Sequence, residues 1–307
     1  MAEFWSKVGK TLHFYSKKGA IRFREAIWEI APPIIEKPVF IIGCSRSGTT
    51  VVYKAFSQAK ELGSLDREVH DDWAALHSLE SRDWASHQLT EKEACKEDWD
   101  WASRLFYTQA GKKRFLDKNN QAGLCVLYLY ALYPDASFVF VKRSPGDTIN
   151  SMIEGWKKPD EFGVWSKSLP EEVKIDNGKF KRWCFFLPTG WKDYLKSPIE
   201  AVCAFQYISI NEAILDAKTE IPASQWTEIC YEDLLKEPVD TVTKSFQEIG
   251  LTVDERLKQN LKQVMGQSYN AFSEIRQDKW KESENAEKIR SILPLVASLA
   301  RKLDYPL

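Results

Sequence analysis

The sequence is poor in the residues that build metal sites and disulfide frameworks. Its 307 residues include only four histidines and six cysteines, with no Cys-x-x-Cys pair and no histidine at zinc-finger spacing. Scattered cysteines fit a reducing compartment better than a disulfide-rich secreted fold. They stand at Cys44, Cys95, Cys125, Cys184, Cys203 and Cys230.

Long apolar runs and an excess of one charge are also absent. No run is long enough to cross a bilayer, and the first residues, MAEFWSKVGKTLHFYSKKG, lack the uninterrupted apolar segment of a secretory signal. We therefore expect a soluble cytoplasmic protein. The formal charge of -1 argues against nucleic acid as a partner, so any anion site must be local. With 44% apolar residues, the chain can bury a full core.

Residues 1–37 form an aromatic and basic segment ahead of the main domain. The pattern predicts two short amphipathic helices, which the prolines of APPIIEKP then end. The first interpretation is that they dock on their own domain or on a second subunit of a homodimer. The second is that they contact a membrane surface. The apolar positions are Phe4, Trp5, Val8, Leu12, Tyr15, Ile21, Phe23, Ile27 and Ile30.

Strand-length apolar segments then alternate with helical stretches over residues 38–307, which we expect to be one domain. The candidate strands lie in PVFIIG, ELGSLD, KRFLDK, SFVFVKR and WTEICYE. Apolar runs without polar alternation indicate strands covered on both faces. The sequence therefore predicts a doubly wound α/β fold, with a mostly parallel sheet of about five strands flanked by helices.

Residues 155–197 interrupt this alternation. We predict that they form an excursion, which is a long segment that leaves the sheet. Long excursions at strand ends commonly shape substrate sites. The aromatic side chains of this stretch can stack on an acceptor ring, or they can be core. They are Trp156, Trp165, Trp183, Phe185, Phe186 and Trp191.

The stretch GCSRSGTT, residues 43–50, has the glycine spacing of a nucleoside-triphosphate loop but lacks its lysine. Thr49 stands in the lysine position, and Arg46 supplies the positive charge instead. A loop that opens a helix offers N–H groups to an anion, whereas the missing lysine argues against a magnesium-bridged triphosphate. The alternative is a strand-to-helix turn that binds no ligand.

A second cluster lies in FVFVKRSPGDTINSM. Arg143 ends the strand, Ser144 and Pro145 suit a helix start, and Ser151 follows about two turns into the helix. Arg143 and Ser151 could therefore face one crevice. The alternative is a surface ion pair for the arginine and a serine without a function.

These motifs together resemble the sulfotransferase family that uses 3′-phosphoadenosine 5′-phosphosulfate (PAPS). GCSRSGTT resembles its 5′-phosphosulfate loop, Arg143 and Ser151 have the spacing of its 3′-phosphate pair, and ICYEDLLKEP and RQDKWKE resemble its later motifs. The likeness spans roughly residues 38–305. It implies a P-loop-like sulfotransferase fold and a donor site formed by Cys44, Ser45, Arg46, Ser47, Gly48, Thr49, Thr50, Arg143, Ser151, Tyr231, Arg276, Lys279 and Trp280.

Two departures stand in these motifs. Cys44-Ser45 replaces a proline-containing entry to the loop, and Cys230 replaces a frequent arginine. We expect altered packing from them rather than loss of nucleotide binding.

The resemblance also implies sulfuryl transfer to a hydroxyl without a metal. Arg46 and Lys118 are the expected contacts to the sulfonate, with Lys118 carried over from a less similar DKNN stretch. The base that accepts the hydroxyl proton is expected in SLDREVHDDW, where Glu68 is favoured over His70. The acceptor is expected to be a carbohydrate, a glycolipid or a small alcohol.

Three rival functions stay open from the sequence alone. One is an atypical P-loop kinase or nucleotidase. Another is a phosphohydrolase that holds a metal through His70, Asp71, Asp72 and His77. The third is a PAPS-binding protein without catalytic activity.

Overall fold

Four parallel strands form the centre of the fold, in the order β2-β1-β3-β4. This computed structural model describes residues 2–65, 67–267 and 276–305, with side chains from residue 14 onward. The strands are β1 Val39–Ile42, β2 Leu116–Lys118, β3 Ser137–Lys142 and β4 Trp226–Cys230. Val39 pairs with Leu116 on one side and with Ser137 on the other, which fixes the register of the sheet.

The doubly wound parallel fold predicted from the sequence is confirmed, but the described part of the sheet has four strands rather than about five. ELGSLD contributes one isolated bridge, in which Gly63 pairs with Phe115. Gly63 donates its N–H to Arg114 and accepts from Leu116. A glycine has no side chain to pack, so the pairing does not extend into a strand.

Helices cover both faces of the sheet, as continuous apolar strands require. They are α1 Ala2–Ile30, α2 Thr49–Phe56, α3 His70–Leu76, α4 Lys96–Ala110, α5 Val126–Leu132, α6 Pro145–Trp156, α7 Pro159–Phe162, α8 Ile175–Gly178, α9 Ile199–Lys218, α10 Tyr231–Lys236, α11 Pro238–Glu248, α12 Glu255–Met265 and α13 Ala286–Lys302.

Alternate residues of β1 enter two separate cores. Val39 and Ile41 belong to a smaller core with α2, α11 and α12, whereas Phe40 and Ile42 belong to a larger core that includes α5, α6, α9 and α13. This alternation follows from the period of two along a strand. Because both faces are covered, the end of the sheet is where polar groups can converge.

Most of the aromatic side chains in the 155–197 excursion are core. Trp156, Trp183, Phe186 and Trp191 are fully buried in the larger core, so for these four the second of the two alternatives holds. The indole of Trp156 donates to Gln206, and that of Trp183 donates to the Phe186 carbonyl. Trp165 and Phe185 differ, because they line the cavity described below.

The N-terminal segment is one continuous helix, α1, rather than the two short helices predicted. Its second half docks on α4, where buried Trp28 packs against Trp99 and Tyr107. Glu29 pairs with Arg104 at 2.6 Å. Nothing in the stretch before APPIIEKP breaks the helix, since Gly9 and Gly19 cost only about 1 kcal/mol each in a helix interior. No helix in the described ranges is long and apolar enough to span a membrane.

Candidate active site

The carboxyl ends of all four strands open into one cavity of about 700 Å³. The loop after β1 contributes Arg46, β2 ends in Lys118, Arg143 follows β3, and Tyr231 follows β4. Crevices at this edge of an open parallel sheet are where such folds bind ligands. The fold therefore brings together residues that lie up to 185 positions apart, from Arg46 to Tyr231 (231 − 46).

The loop between β1 and α2 depends on two glycines. Gly43 and Gly48 have φ angles of 155° and 96°. A Cβ at Gly48 would lie 2.3 Å from the Tyr231 ring, and one at Gly43 would lie 2.6 Å from the Val141 carbonyl oxygen. Ser47 closes the turn, because its Oγ donates to the Cys44 carbonyl at 2.7 Å. The backbone can therefore approach β3 and β4 closely and present the first N–H groups of α2 to the cavity.

Arg46 lies at the tip of this loop in a left-handed conformation, with φ of 72°. Its Nε donates to Ser151 Oγ at 3.2 Å, and its guanidinium lies 5.4 Å from the centre of the Phe162 ring. Burial lowers the pKa of Arg46 to about 10, with Glu161 opposing that change. The group keeps its charge at neutral pH and carries it into a partly desolvated place, where it acts more strongly on an anion.

Arg143 lies beside the loop and is fixed from two sides. One terminal nitrogen donates to the Arg46 carbonyl at 2.9 Å, and the guanidinium lies 4.4 Å from the centre of the Tyr231 ring. Tyr207 donates its hydroxyl to the Arg143 carbonyl at 3.0 Å. These contacts preorganise the charge and reduce the entropy lost when it meets an anion.

Glu68 and Lys118 form a close ion pair at the opposite wall, and Lys118 is buried. The second carboxylate oxygen of Glu68 lies 3.8 Å from Nδ1 of His70, whose Nε2 lies 3.4 Å from Asp71. Both candidate bases line the cavity. A carboxylate with one oxygen held by an ammonium keeps its other oxygen available for a further donor.

A buried contact outside the predicted set holds this wall together. The indole of Trp73, on α3, donates to Asp117 on β2 at 2.9 Å. Burial raises the pKa of the Asp117 carboxyl to about 6. Since α3 begins at His70, two residues after Glu68, and Lys118 follows Asp117, this hydrogen bond links the helix next to the candidate bases to the strand that carries the lysine.

The segment RQDKWKE, residues 276–282, is held at the start of α6 by hydrogen bonds. Asp147 accepts the backbone N–H of Asp278 at 2.8 Å and that of Trp280 at 3.1 Å. The Trp280 ring covers Gly146, where an added Cβ would lie 2.4 Å from the ring nitrogen. Lys279, between the two anchored positions, lines the cavity.

Most of the predicted site residues line the cavity, and four do not. Cys44 and Ser47 are buried beneath the loop, Arg276 pairs with Glu282, and Trp280 packs on α6. Burial raises the pKa of the Cys44 thiol far above its usual range. Those that line it are Ser45, Arg46, Gly48, Thr49, Thr50, Glu68, His70, Lys118, Arg143, Ser151, Tyr231 and Lys279.

Several residues that line the cavity were not among the predicted site residues. Phe162 and Glu161 come from α7, and Met265 comes from the end of α12, so none of them belongs to a motif. Asn120 and Asn150 stand next to residues that were singled out, and their positions at a strand end and on the Ser151 helix were the available signal.

Buried polar atoms of the cavity residues that lack a hydrogen-bond partner indicate whether an anionic ligand fits there. Ser45 Oγ, Arg143 Nε and His70 Nδ1 are buried and have no hydrogen-bond partner among the described residues. Buried polar atoms are seldom left unpaired, because each costs about 1–3 kcal/mol. Two of the three atoms are donors or hydroxyls beside the glycine loop, so the residues fit a phosphate-bearing group.

The metal-binding alternative lacks a clustered ligand set. His77 pairs with Asp98 at 2.8 Å, whereas Asp72 pairs with Arg67 at 2.5 Å. Within the described ranges, no three His, Cys, Asp or Glu side chains are grouped closely enough to hold a metal ion.

Comparisons with known proteins give one family. The model described as "Sulfotransferase family" matches residues 38–255. No curated protein matches the sequence. Sulfotransferase STF9 from Mycobacterium avium aligns with a TM-score of 0.56 and 13% identity, over 95% of this chain and 85% of that one.

Two further solved structures align with lower TM-scores. A sulfotransferase from Alicyclobacillus acidocaldarius aligns with a TM-score of 0.50 and 16% identity, over 89% of this chain and 98% of that one. The mouse sulfotransferase SULT7A1, solved with PAP, aligns with a TM-score of 0.48 and 14% identity, over 89% and 86% of the two chains. At these identities the structural likeness concerns the fold alone.

Proposed function

This chain belongs to the sulfotransferase family, and we propose that it transfers a sulfuryl group from PAPS to a hydroxyl of a carbohydrate, a glycolipid or a small alcohol. The observation that carries the proposal is the meeting of Arg46, Arg143 and the Glu68–Lys118 pair in one cavity at the strand ends. The family match supports sulfuryl transfer, and the cavity residues support the choice of donor and the roles below.

The donor side of the cavity consists of residues 45–50 with Arg143, Ser151 and Tyr231. We assign the loop N–H groups and hydroxyls to the 5′-phosphosulfate, and Arg143 with Ser151 to the 3′-phosphate. Arg143 already donates to the Arg46 carbonyl and keeps Nε unpaired. Ser151 already accepts from Arg46, so one hydroxyl connects the two phosphate subsites.

When bound, PAPS supplies an activated sulfuryl group whose transfer breaks a bond between sulfur and a phosphate oxygen. Arg46, the first N–H groups of α2 and Lys118 place positive charge where negative charge develops on that oxygen and on the sulfonate. Because these groups are fixed before the reaction, they need little reorganisation. This charge supply makes a magnesium requirement unnecessary.

The acceptor side consists of Glu68, His70, Phe162, Trp165 and Phe185. Glu68 is the proposed base, and it takes the proton of the attacking hydroxyl. Lys118 holds one oxygen of that carboxylate. Phe162 and Phe185 pack at 5.1 Å between ring centres, and Trp165 lines the same cavity. Such faces bury apolar surface of a ring or chain and leave its hydroxyl edges for the polar groups.

Two measurements test the proposal. Calorimetry should show much tighter binding of 3′-phosphoadenosine 5′-phosphate than of ATP, which lacks a 3′-phosphate. Incubation of the purified chain with cell extract and sulfate-labelled PAPS should yield a labelled product for mass identification. Tight nucleotide binding without transfer to any acceptor would favour a silent PAPS-binding protein, and equal affinity for ATP would overturn the donor assignment.

A further inference from the structure

The exposed apolar surface of the described chain is concentrated near its beginning. Eight large apolar side chains are exposed, and five of them lie between residues 14 and 34. These five are Phe14, Tyr15, Phe23, Ile30 and Ile34. Scattered exposed apolar residues need no explanation, but a cluster of this kind indicates a surface that something covers.

The continuity of α1 places Tyr15, Phe23 and Ile30 on one side of the helix, whereas Phe14 lies on the other side and Ile34 lies beyond the helix end. At 100° per residue, Phe23 and Ile30 lie about 20° apart around the helix axis, and Trp28 lies about 160° from Ile30. Trp28 is 4% exposed against α4, whereas Phe23 and Ile30 are 68% and 85% exposed. The helix therefore has two apolar faces, and only the inner one packs on the domain.

The sequence continues the outer pattern along the helix. Residues 4, 8, 12, 15, 19, 23, 26 and 30 are all apolar, aromatic or glycine, and their mean spacing is (30 − 4)/7, or about 3.7 residues. This is close to the 3.6 of a straight helix and longer than the 3.5 of a left-handed coiled coil. The spacing is therefore not that of a two-stranded, left-handed coiled coil between two copies.

The charges beside this face favour an anionic surface. Residues 2–30 carry six Lys or Arg against three Glu, a net charge of +3. Lys18 and Arg22 are exposed and lie about 60° and 20° from Tyr15 around the helix axis, at the edge of this face. No described carboxylate lies within ion-pair distance of them. Two copies joined through α1 would bring these like charges together, whereas acidic lipid headgroups would neutralise them.

We propose that the outer face of α1 binds an anionic membrane surface, with Phe23 and Ile30 at the level of the acyl chains and Lys18 and Arg22 at the headgroups. The inner face keeps the helix on α4 through Trp28 and the Glu29–Arg104 pair. The catalytic domain would thereby be held close to the bilayer. This proposal does not depend on the assignment of donor or base.

Vesicle flotation of the full chain tests the proposal. The protein should float with phosphatidylcholine vesicles that contain phosphatidylserine, and it should stay in solution with phosphatidylcholine alone. Phe23→Asp combined with Ile30→Asp should abolish flotation. Leu295→Asp is the matched control, because Leu295 is 64% exposed on α13 and should tolerate the change without loss of flotation.

A second variant separates charge from apolar contact. Lys18→Glu with Arg22→Glu should weaken binding to the acidic vesicles by about tenfold or more, since each basic residue near such a surface contributes roughly a factor of five. An unchanged thermal transition will show that each variant is folded. Failure of the native chain to float, or retained flotation of the Phe23 and Ile30 variant, overturns the proposal. A dimer that this variant converts to a monomer in light scattering, without lipid binding, also overturns it.

Discussion

The donor side of the cavity is built from segments that directly follow β1, β3 and β4, whereas the acceptor side comes from loops and short helices that do not adjoin a strand. In the loop after β1, the absence of a glycine side chain lets the backbone pack closely against its neighbours, as Gly48 does against the Tyr231 ring. On the other side, Phe162 and Phe185 meet across 23 residues (185 − 162), and Glu68 meets Lys118 across 50 (118 − 68). The donor side faces phosphate groups of fixed chemistry, whereas the acceptor side is formed by contacts between separate loops and helices.

This difference suggests that changes on the two sides should separate in their effects. Donor-side changes should alter nucleotide affinity, since those groups are assigned to phosphates. Acceptor-side changes should alter turnover and leave nucleotide affinity nearly intact. The four predictions that follow test this separation, beginning with the largest effect.

Glu68→Gln should reduce turnover by about 10²–10⁴-fold, the range typical of a catalytic carboxylate, with little change in nucleotide affinity. Glu154→Gln is a suitable control, because Glu154 lines the same cavity but is bonded to Lys157 and Asn285. Turnover comes from labelled-sulfate transfer and affinity from calorimetry. If Glu68→Gln stays active while His70→Ala binds nucleotide and is inactive, then the histidine is the base.

Arg143→Ala should weaken 3′-phosphoadenosine 5′-phosphate binding by roughly one to two orders of magnitude. It removes a charge-assisted contact of about 1.5–3 kcal/mol. ATP binding should change far less, because ATP lacks the phosphate assigned to Arg143. Arg182→Ala, which removes an arginine paired with Asp160 outside the cavity, provides the control in the same titration. Parallel losses for both nucleotides would contradict the assignment.

Protonation of His87, which packs against Trp165 on the acceptor side, should make the stability of the fold sensitive to acid. This residue accepts the Leu187 N–H at 2.7 Å and packs edge-on to Trp165, and burial lowers the pKa of His87 to about 3. The unfolded chain takes up the proton near pH 6.5, so stability should fall as pH decreases from 6.5 towards 3. At pH 5 the loss from this residue is about 2 kcal/mol.

His87→Gln, whose amide oxygen can still accept from Leu187, should remove this part of the pH dependence. Urea unfolding of both proteins at pH 7 and pH 5 measures the difference. The same loss of stability in both proteins between these pH values would show that His87 does not cause it.

The smallest expected effect is that of a chelator. Arg46, Arg143 and Lys118 supply the positive charge on which the proposed chemistry depends, so turnover should be unchanged by chelation. The assay is labelled-sulfate transfer with and without chelator. Loss of activity that added magnesium restores would instead favour nucleotide chemistry of the kinase type.

The same contrast explains what the sequence could predict. The fold class, the loop and Arg143 follow from local patterns, because glycine spacing and strand length are properties of short segments. Asp147, by contrast, has only the sequence position of an acidic residue in the first turn of a helix, whereas its bonds to the N–H groups of residues 278 and 280 depend on tertiary packing. The strand expected in ELGSLD is one isolated bridge in the structure, because its pairing position is a glycine.

Strand β1 has a consequence for the synthesis of this protein. It is fully buried, yet its neighbours β2 and β3 lie 74 (116 − 42) and 95 (137 − 42) residues after its end. At a synthesis rate of about 5–20 residues per second, its apolar segment leaves the ribosome roughly 5–20 seconds before β3 can cover it. During that interval the segment Val39–Ile42 is a natural target for chaperones and the place where nascent chains would associate wrongly.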